Sequence, residues 1–239
     1  MYSYPAVPGL LTLASNRFAF AAGVTAAALP GSASNPLWIY GPAGTGKTAL
    51  LQAMLRQSRS NAQKLRIRYI HAEEFVQDLC LAMAKRSVEE YRAALSGLDV
   101  LMVDDLDLLC GKSATQNTVG SLLSDLVSGG CQVVLASCMS PDQLNELKLR
   151  LVRRCEFALW ADISLPSPRE RLALTRFLAR ELAVPLTDSM APRIAFACRR
   201  PSEIRCLLAQ LAYRRALLGA DAEEPCRILD RLLAKEAAV

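Results

Sequence analysis

Apolar positions along the chain fall into two kinds of run. Short, nearly continuous ones at Leu37–Tyr40, Arg66–His71, Val100–Asp104, Gln132–Ser137 and Phe157–Ala161 read as strands. Between them, helical spacing covers Thr48–Arg59, Ala72–Lys85, Val88–Leu95, Asn117–Val127 and Asp142–Arg153. Short strands alternating with helices predict an α/β fold on a parallel sheet. Leu101, Met102 and Val103 are apolar in succession, as a central strand covered on both faces requires.

The pattern changes after Leu165. Pro166 and Pro168 mark a break, with Ser167 placed to cap the helix that follows. Beyond it only helical periodicity remains, over Arg169–Leu182, Ser189–Cys198, Ser202–Leu217 and Pro225–Ala238. The expected organisation is an α/β domain over residues 1–165 and a small all-helical domain over 166–239. Met1–Ser15 carries too little pattern to place.

Composition narrows the class. At 239 residues, 52% hydrophobic and 21% charged, the chain can bury a real core and is neither disordered nor fibrous. Its 28 basic and 23 acidic residues give a net charge of +5, which permits a nucleic-acid partner without requiring one. The apolar stretch Phe18–Leu29 is interrupted by Gly23 and Thr25 and falls short of the roughly 20 residues a bilayer span needs. No basic segment precedes an apolar one at Met1, so no secretory signal is readable and a cytoplasmic protein is expected. The eight cysteines form no CxxC pair and His71 is the only histidine, which leaves zinc without a ligand set. Most of the cysteines lie in apolar runs and read as small buried hydrophobes.

The chemistry concentrates at Gly41-Pro42-Ala43-Gly44-Thr45-Gly46-Lys47-Thr48, which fits the phosphate-loop pattern G-x-x-x-x-G-K-[ST] in full. A strand precedes it and a helix follows, so backbone N–H groups and the helix N-terminus point at bound phosphate. Lys47 is expected to reach the β- and γ-phosphates, and the Thr48 hydroxyl to coordinate Mg²⁺. A carboxylate must end a neighbouring strand, and Val100–Asp104 supplies it. Asp104 is the expected Mg²⁺ ligand and Asp105 the group that orients or deprotonates the attacking water.

With these residues in hand, the sequence resembles the AAA+ ATPases of the DnaA/Hda type, which act in initiation of bacterial chromosome replication. The likeness runs from about Phe18 to Lys235. It is carried by Asn35-Pro36-Leu37, His71-Ala72-Glu73-Glu74-Phe75-Val76-Gln77-Asp78, Val88-Glu89-Glu90-Tyr91 and Leu98-Asp99-Val100 through Asp105. The segment between Phe75 and Tyr91 resembles the initiator-specific helical insertion, which favours DnaA itself over the wider superfamily. The resemblance implies a five-stranded parallel sheet between helices, a helical lid, and ATP or ADP with Mg²⁺ as cofactors. It implies slow ATP hydrolysis, with the arginine finger of the segment Arg150–Arg154 falling on Arg154 and reaching a neighbouring subunit or a DnaA-type partner. It further implies single-stranded DNA contact at the positions of Cys80, Lys112 and Ala114, where Cys80 keeps a small apolar contact, Lys112 keeps a phosphate-contacting charge and Ala114 has lost a basic side chain. Lys64, Arg66 and Arg68 would add charge on one strand face.

Three departures qualify this picture. The family's acidic sensor at the end of the fourth strand is replaced by Ser137-Cys138, with Ser137 the better hydrogen-bond donor. The lid's sensor arginine is replaced by Pro201-Ser202-Glu203-Ile204, leaving Arg200 or Arg205 to lean in. The helix-turn-helix domain of a full initiator is not in this sequence, so no preference for a duplex sequence is expected. Two further readings are a Hda-like regulator that stimulates a partner's hydrolysis and a helicase loader. Leu10-Leu11-Thr12-Leu13 only weakly echoes a regulator's clamp-binding peptide.

Overall fold

The computed structural model describes residues 9–31, 35–60, 65–109, 113–140, 143, 158–218 and 225–236. They divide into two compact units: Met1–Leu10 with Asn16–Ala43 and Lys47–Ile163, and Ser164–Val239 with Leu11–Ser15 and Gly44–Gly46.

The first unit is built on a five-stranded parallel sheet of β1 (Leu37–Tyr40), β2 (Ile67–His71), β3 (Val100–Asp104), β4 (Gln132–Ser137) and β5 (Leu159–Asp162). The strand order is β2-β3-β4-β1-β5, with every pairing parallel. Helices α1 (Arg17–Ala28), α2 (Lys47–Ser60), α3 (Ala72–Ala84), α4 (Val88–Ser96) and α5 (Ser113–Ser128) surround it, and a 3₁₀ turn spans Leu106–Leu109. Strand side chains alternate between faces. Leu37, Ile39, Val100, Met102, Val134 and Ala136 pack with Ala19, Phe20 and Ala27 of α1 and Leu50, Leu51 and Met54 of α2. Trp38, Leu101, Val103, Val133 and Leu135 pack with Phe75 and Leu79 of α3 and Val119, Leu122 and Leu123 of α5. Burial on both faces is why β3 and β4 carry no alternating polar positions.

Three strands match the sequence reading residue for residue; β2 starts one residue later, and β5 starts two residues later and ends one later. The helix α1 has no counterpart in that reading. Its segment is rich in alanine, the strongest helix former, and so lacks the polar stripe that reveals an amphipathic helix. The expected helix Asp142–Arg153 lies outside the described residues. Asn35 anchors the Asn35-Pro36-Leu37 entry to β1. Its amide donates to the Cys131 carbonyl (2.7 Å) and its carbonyl accepts from Val133 N–H (2.9 Å), tying the entry of β1 to β4.

The second unit is helical: α6 (Pro168–Glu181), α7 (Met190–Ala197), α8 (Pro201–Leu218) and α9 (Pro225–Glu236). Leu174, Leu178, Ile194, Ile204, Leu208 and Leu229 form its core. Ser167 caps α6 as expected and forms a full capping box with Glu170. Glu170 also accepts from the Ser15 backbone N–H at 2.9 Å.

Among the described cysteines only Cys131 and Cys198 are buried, while Cys80, Cys138 and Cys206 are exposed and Cys226 is half-buried. The expectation of mostly buried thiols is thereby corrected. Cys80 and Cys206 each follow or precede a core leucine, but one residue along a helix rotates the side chain about 100° away from the core.

Candidate nucleotide-binding site

The phosphate loop leaves the carboxyl end of β1 and enters α2 at Lys47. Two glycines explain its shape. Gly41 has φ +151°, and a Cβ there would sit 2.1 Å from the carbonyl oxygen of Ile163, the residue that follows β5, so only glycine fits there. Gly46 has φ +109°, yet a Cβ there would meet nothing within 4 Å. Its glycine is demanded by backbone conformation, and the space beside it is open, as a phosphate cradle requires.

Lys47 is buried, at 6% exposure. Its ammonium donates to the carbonyls of Gly41 (2.8 Å) and Pro42 (3.1 Å) and to Cys138 Sγ (3.3 Å). None of these three partners is a carboxylate. Thr48 follows on the first turn of α2 and is half-buried.

Asp104 ends β3, two strands from the loop with β4 between them. It is fully buried. Its Oδ2 accepts from the Tyr69 hydroxyl (2.8 Å) and its Oδ1 from the Asp105 N–H (3.0 Å). Burial, reinforced by donation to Asp104, pushes the Tyr69 hydroxyl well above its ordinary range. Asp105 adopts φ +55°, a left-handed conformation uncommon outside glycine. That turn carries its half-exposed carboxylate to His71, whose Nδ1 lies 3.4 Å from Asp105 Oδ2. Ligand atoms of His71, Asp104 and Asp105 all lie within 4.8 Å of one another. A buried hard-oxygen donor beside an exposed one suits Mg²⁺, so the residues present fit the cation that a phosphate loop employs.

The sequence had singled out Lys47, Asp104 and Asp105, but not what holds them. Tyr69 and His71 alternate on β2, and the parallel register sets His71 against Asp104. That register was the available signal, because side chains two apart on an adjacent strand reach the same end of the sheet. His71, the last residue of β2, pairs with Asp105. Asp107 follows in the 3₁₀ turn Leu106–Leu109. It accepts from Ser137 Oγ (2.6 Å), Cys138 N–H (2.7 Å) and Met139 N–H (3.1 Å). Ser137, the expected substitute sensor, is buried with its hydroxyl spent on Asp107, so Cys138 is the residue that meets Lys47.

Other expected residues divide the same way. Arg66 pairs with Asp99 at 3.6 Å, and Arg68 pairs with Asp78 while lying over the Tyr91 ring. These two charges are therefore largely matched within the fold. Cys80 is exposed on α3, next to exposed Leu81. Within the second unit, Ser202 N–H donates to the Gly44 carbonyl (3.1 Å). In the same unit, Arg200 Cδ would lie 3.4 Å from a Cβ on Gly44. Arg154, Lys112 and Lys64 lie outside the described residues.

The bacterial DnaA ATPase domain family matches residues 8–162, well over half of the chain. The chain belongs to that family. The chromosomal replication initiator protein DnaA of Herpetosiphon aurantiacus is 34% identical over 204 residues, covering 83% of this chain and 43% of that protein. The DnaA of Streptococcus mutans is 38% identical over 161 residues, 66% of this chain and 36% of that protein. This chain thus spans about two fifths of the length of the curated DnaA relatives it matches. Domain III of the Thermotoga maritima replication initiation protein DnaA superposes with a TM-score of 0.86 at 28% identity, covering 95% of this chain and 94% of that one. A replication initiator DnaA bound to AMPPCP and single-stranded DNA superposes with a TM-score of 0.77 at 27% identity, covering 85% and 63%. The fold is that of the DnaA AAA+ domain. No helix among the described residues is long and apolar enough to cross a membrane.

Proposed function

We propose that this chain is the ATP-binding module of a chromosomal replication initiator. It binds ATP or ADP with Mg²⁺ at Gly41–Thr48 and hydrolyses ATP slowly. The observation that carries this reading is Lys47: a buried ammonium held at the loop mouth by two carbonyls and a thiol, two strands from a buried aspartate. In this reading the loop N–H groups and Lys47 bind the phosphates, and Thr48 and Asp104 hold the cation. Asp105 takes the proton of the attacking water. Mg²⁺, when bound, neutralises charge that builds on the phosphate oxygens. Tyr69 keeps Asp104 in one orientation, which a carboxylate that must meet a cation needs.

The relatives named above are initiators, which favours this reading over a regulator or a helicase loader. Single-stranded DNA is the proposed nucleic-acid partner, on the strength of the DnaA solved with it. Assembly with a second copy or a DnaA-type partner is proposed to run through Arg154, presented to the neighbour's γ-phosphate. Size-exclusion chromatography with ATP, ADP or no nucleotide, with and without a single-stranded oligonucleotide, tests the whole reading. ATP-dependent assembly supports it; a species unchanged by every addition contradicts it.

A further inference from the structure

Lys47 offers three N–H donors, and all three are used: two on loop carbonyls and one on Cys138 Sγ. The carbonyl contacts fix where the ammonium sits. The third decides what an incoming phosphate oxygen must displace. A thiol is a weak acceptor, so this bond directs Nζ toward the mouth of the loop and yields to a phosphate at little cost.

Cys138 is itself exposed, one residue past the end of β4, where nothing in the strand ladder holds it. Asp107 does. Its carboxylate accepts the Cys138 N–H at 2.7 Å, the Met139 N–H at 3.1 Å and the Ser137 hydroxyl at 2.6 Å. Ser137 Oγ in turn accepts from Met139 N–H at 2.9 Å, closing a tight turn over the carboxylate. Asp107 lies in the 3₁₀ turn two residues after Asp105, so one short segment carries both the acidic turn and the group that anchors β4.

We propose that Asp107 is a positioning residue of the phosphate site. It acts through the β4 end, fixing Cys138 as the displaceable third acceptor that keeps Lys47 aimed at an incoming phosphate. This rests on the nucleotide-binding reading above and adds to it a residue that touches neither nucleotide nor cation. The strand end that carries Ser137-Cys138 in place of an acidic residue receives its carboxylate from Asp107 instead.

The test uses the full chain and a double-mutant cycle on Asp107 and Cys138. Asp107→Asn puts an amide donor against backbone donors, and Cys138→Ala removes the acceptor at an exposed position that tolerates truncation. In nucleotide-free protein, acylation of Lys47 by a hydroxysuccinimide ester, read by peptide mass spectrometry, is expected to rise at least threefold in each variant. The double variant is expected to rise no further than the single ones. MgATP affinity is expected to fall about fivefold in each single variant, the scale of one modest hydrogen bond. It should again fall no further in the double. Cys138→Ser, which keeps an acceptor, is expected to lose less than Cys138→Ala. Unchanged Lys47 reactivity in either single variant, or effects that multiply in the double, overturns the proposal. Should wild-type protein fail to bind MgATP, the nucleotide reading falls, while the Lys47 labelling still decides the relay.

Discussion

His71 Nδ1 stands 3.4 Å from Asp105 Oδ2, and that pair joins the end of β2 to a residue held in the left-handed backbone region. The left-handed turn is costly for aspartate and persists because several contacts fix it. Asp105 N–H donates to Asp104 Oδ1, the Asp105 carbonyl accepts from Leu108 N–H, and His71 holds the side chain. His71→Ala is therefore expected to leave MgATP affinity within about twofold and slow turnover by roughly tenfold, a fraction of what a general base supplies. Calorimetry paired with phosphate release reads both; an equal loss of affinity and turnover would assign His71 to binding.

Asp105→Asn removes the proton acceptor but keeps the size and the turn, because asparagine also tolerates left-handed φ. ATP binding should persist, with turnover lowered by about 10² or more. Wild-type-like turnover in this variant contradicts the role given to Asp105.

Much of this was legible from residues alone. The phosphate loop is a continuous motif, and Val100–Asp104 declares itself by uninterrupted apolar residues ending in a carboxylate. What escaped was what the chain brings together across the sheet. Tyr69, His71 and Asp107 belong to ordinary-looking stretches, and their roles follow from parallel register and a 3₁₀ turn rather than from local pattern. The helix α1 escaped because alanine gives no amphipathic signature. Arg66 and Arg68 looked like a free basic face, since a sequence does not display Asp99 and Asp78 opposite them.

Glu170 gives a pH prediction. Burial alone would raise its carboxyl, but hydrogen bonds from Ser15 and Ser167 outweigh it and hold the pKa down at about 2. A depressed folded-state value stabilises the fold above the unfolded value of 4.5, and that contribution is lost as pH falls from there toward 2. Glu170→Gln is expected to lower the urea midpoint at neutral pH by the equivalent of about 1 kcal/mol, the scale of a helix cap. The gap between wild type and variant should close below pH 4.5; a gap independent of pH would show that packing, not the carboxylate, is responsible.

Single-stranded DNA binding should weaken linearly in log affinity against log salt, with a slope near −0.7 per phosphate neutralised. Because Arg68 is paired with Asp78 and lies over Tyr91, Arg68→Ala should cost fold stability more than DNA affinity. A fall in the salt slope by a full phosphate in that variant, read by fluorescence anisotropy, would place Arg68 on the DNA instead.

Binding of nucleotide phosphate at Gly41–Thr48 through Lys47 underlies every role proposed above. Calorimetric titration of MgATP into wild type and Lys47→Ala, with circular dichroism confirming the same fold, tests it directly. Saturable binding to the wild type and none measurable to the variant is the expected result. Equal affinity in the two proteins would contradict it.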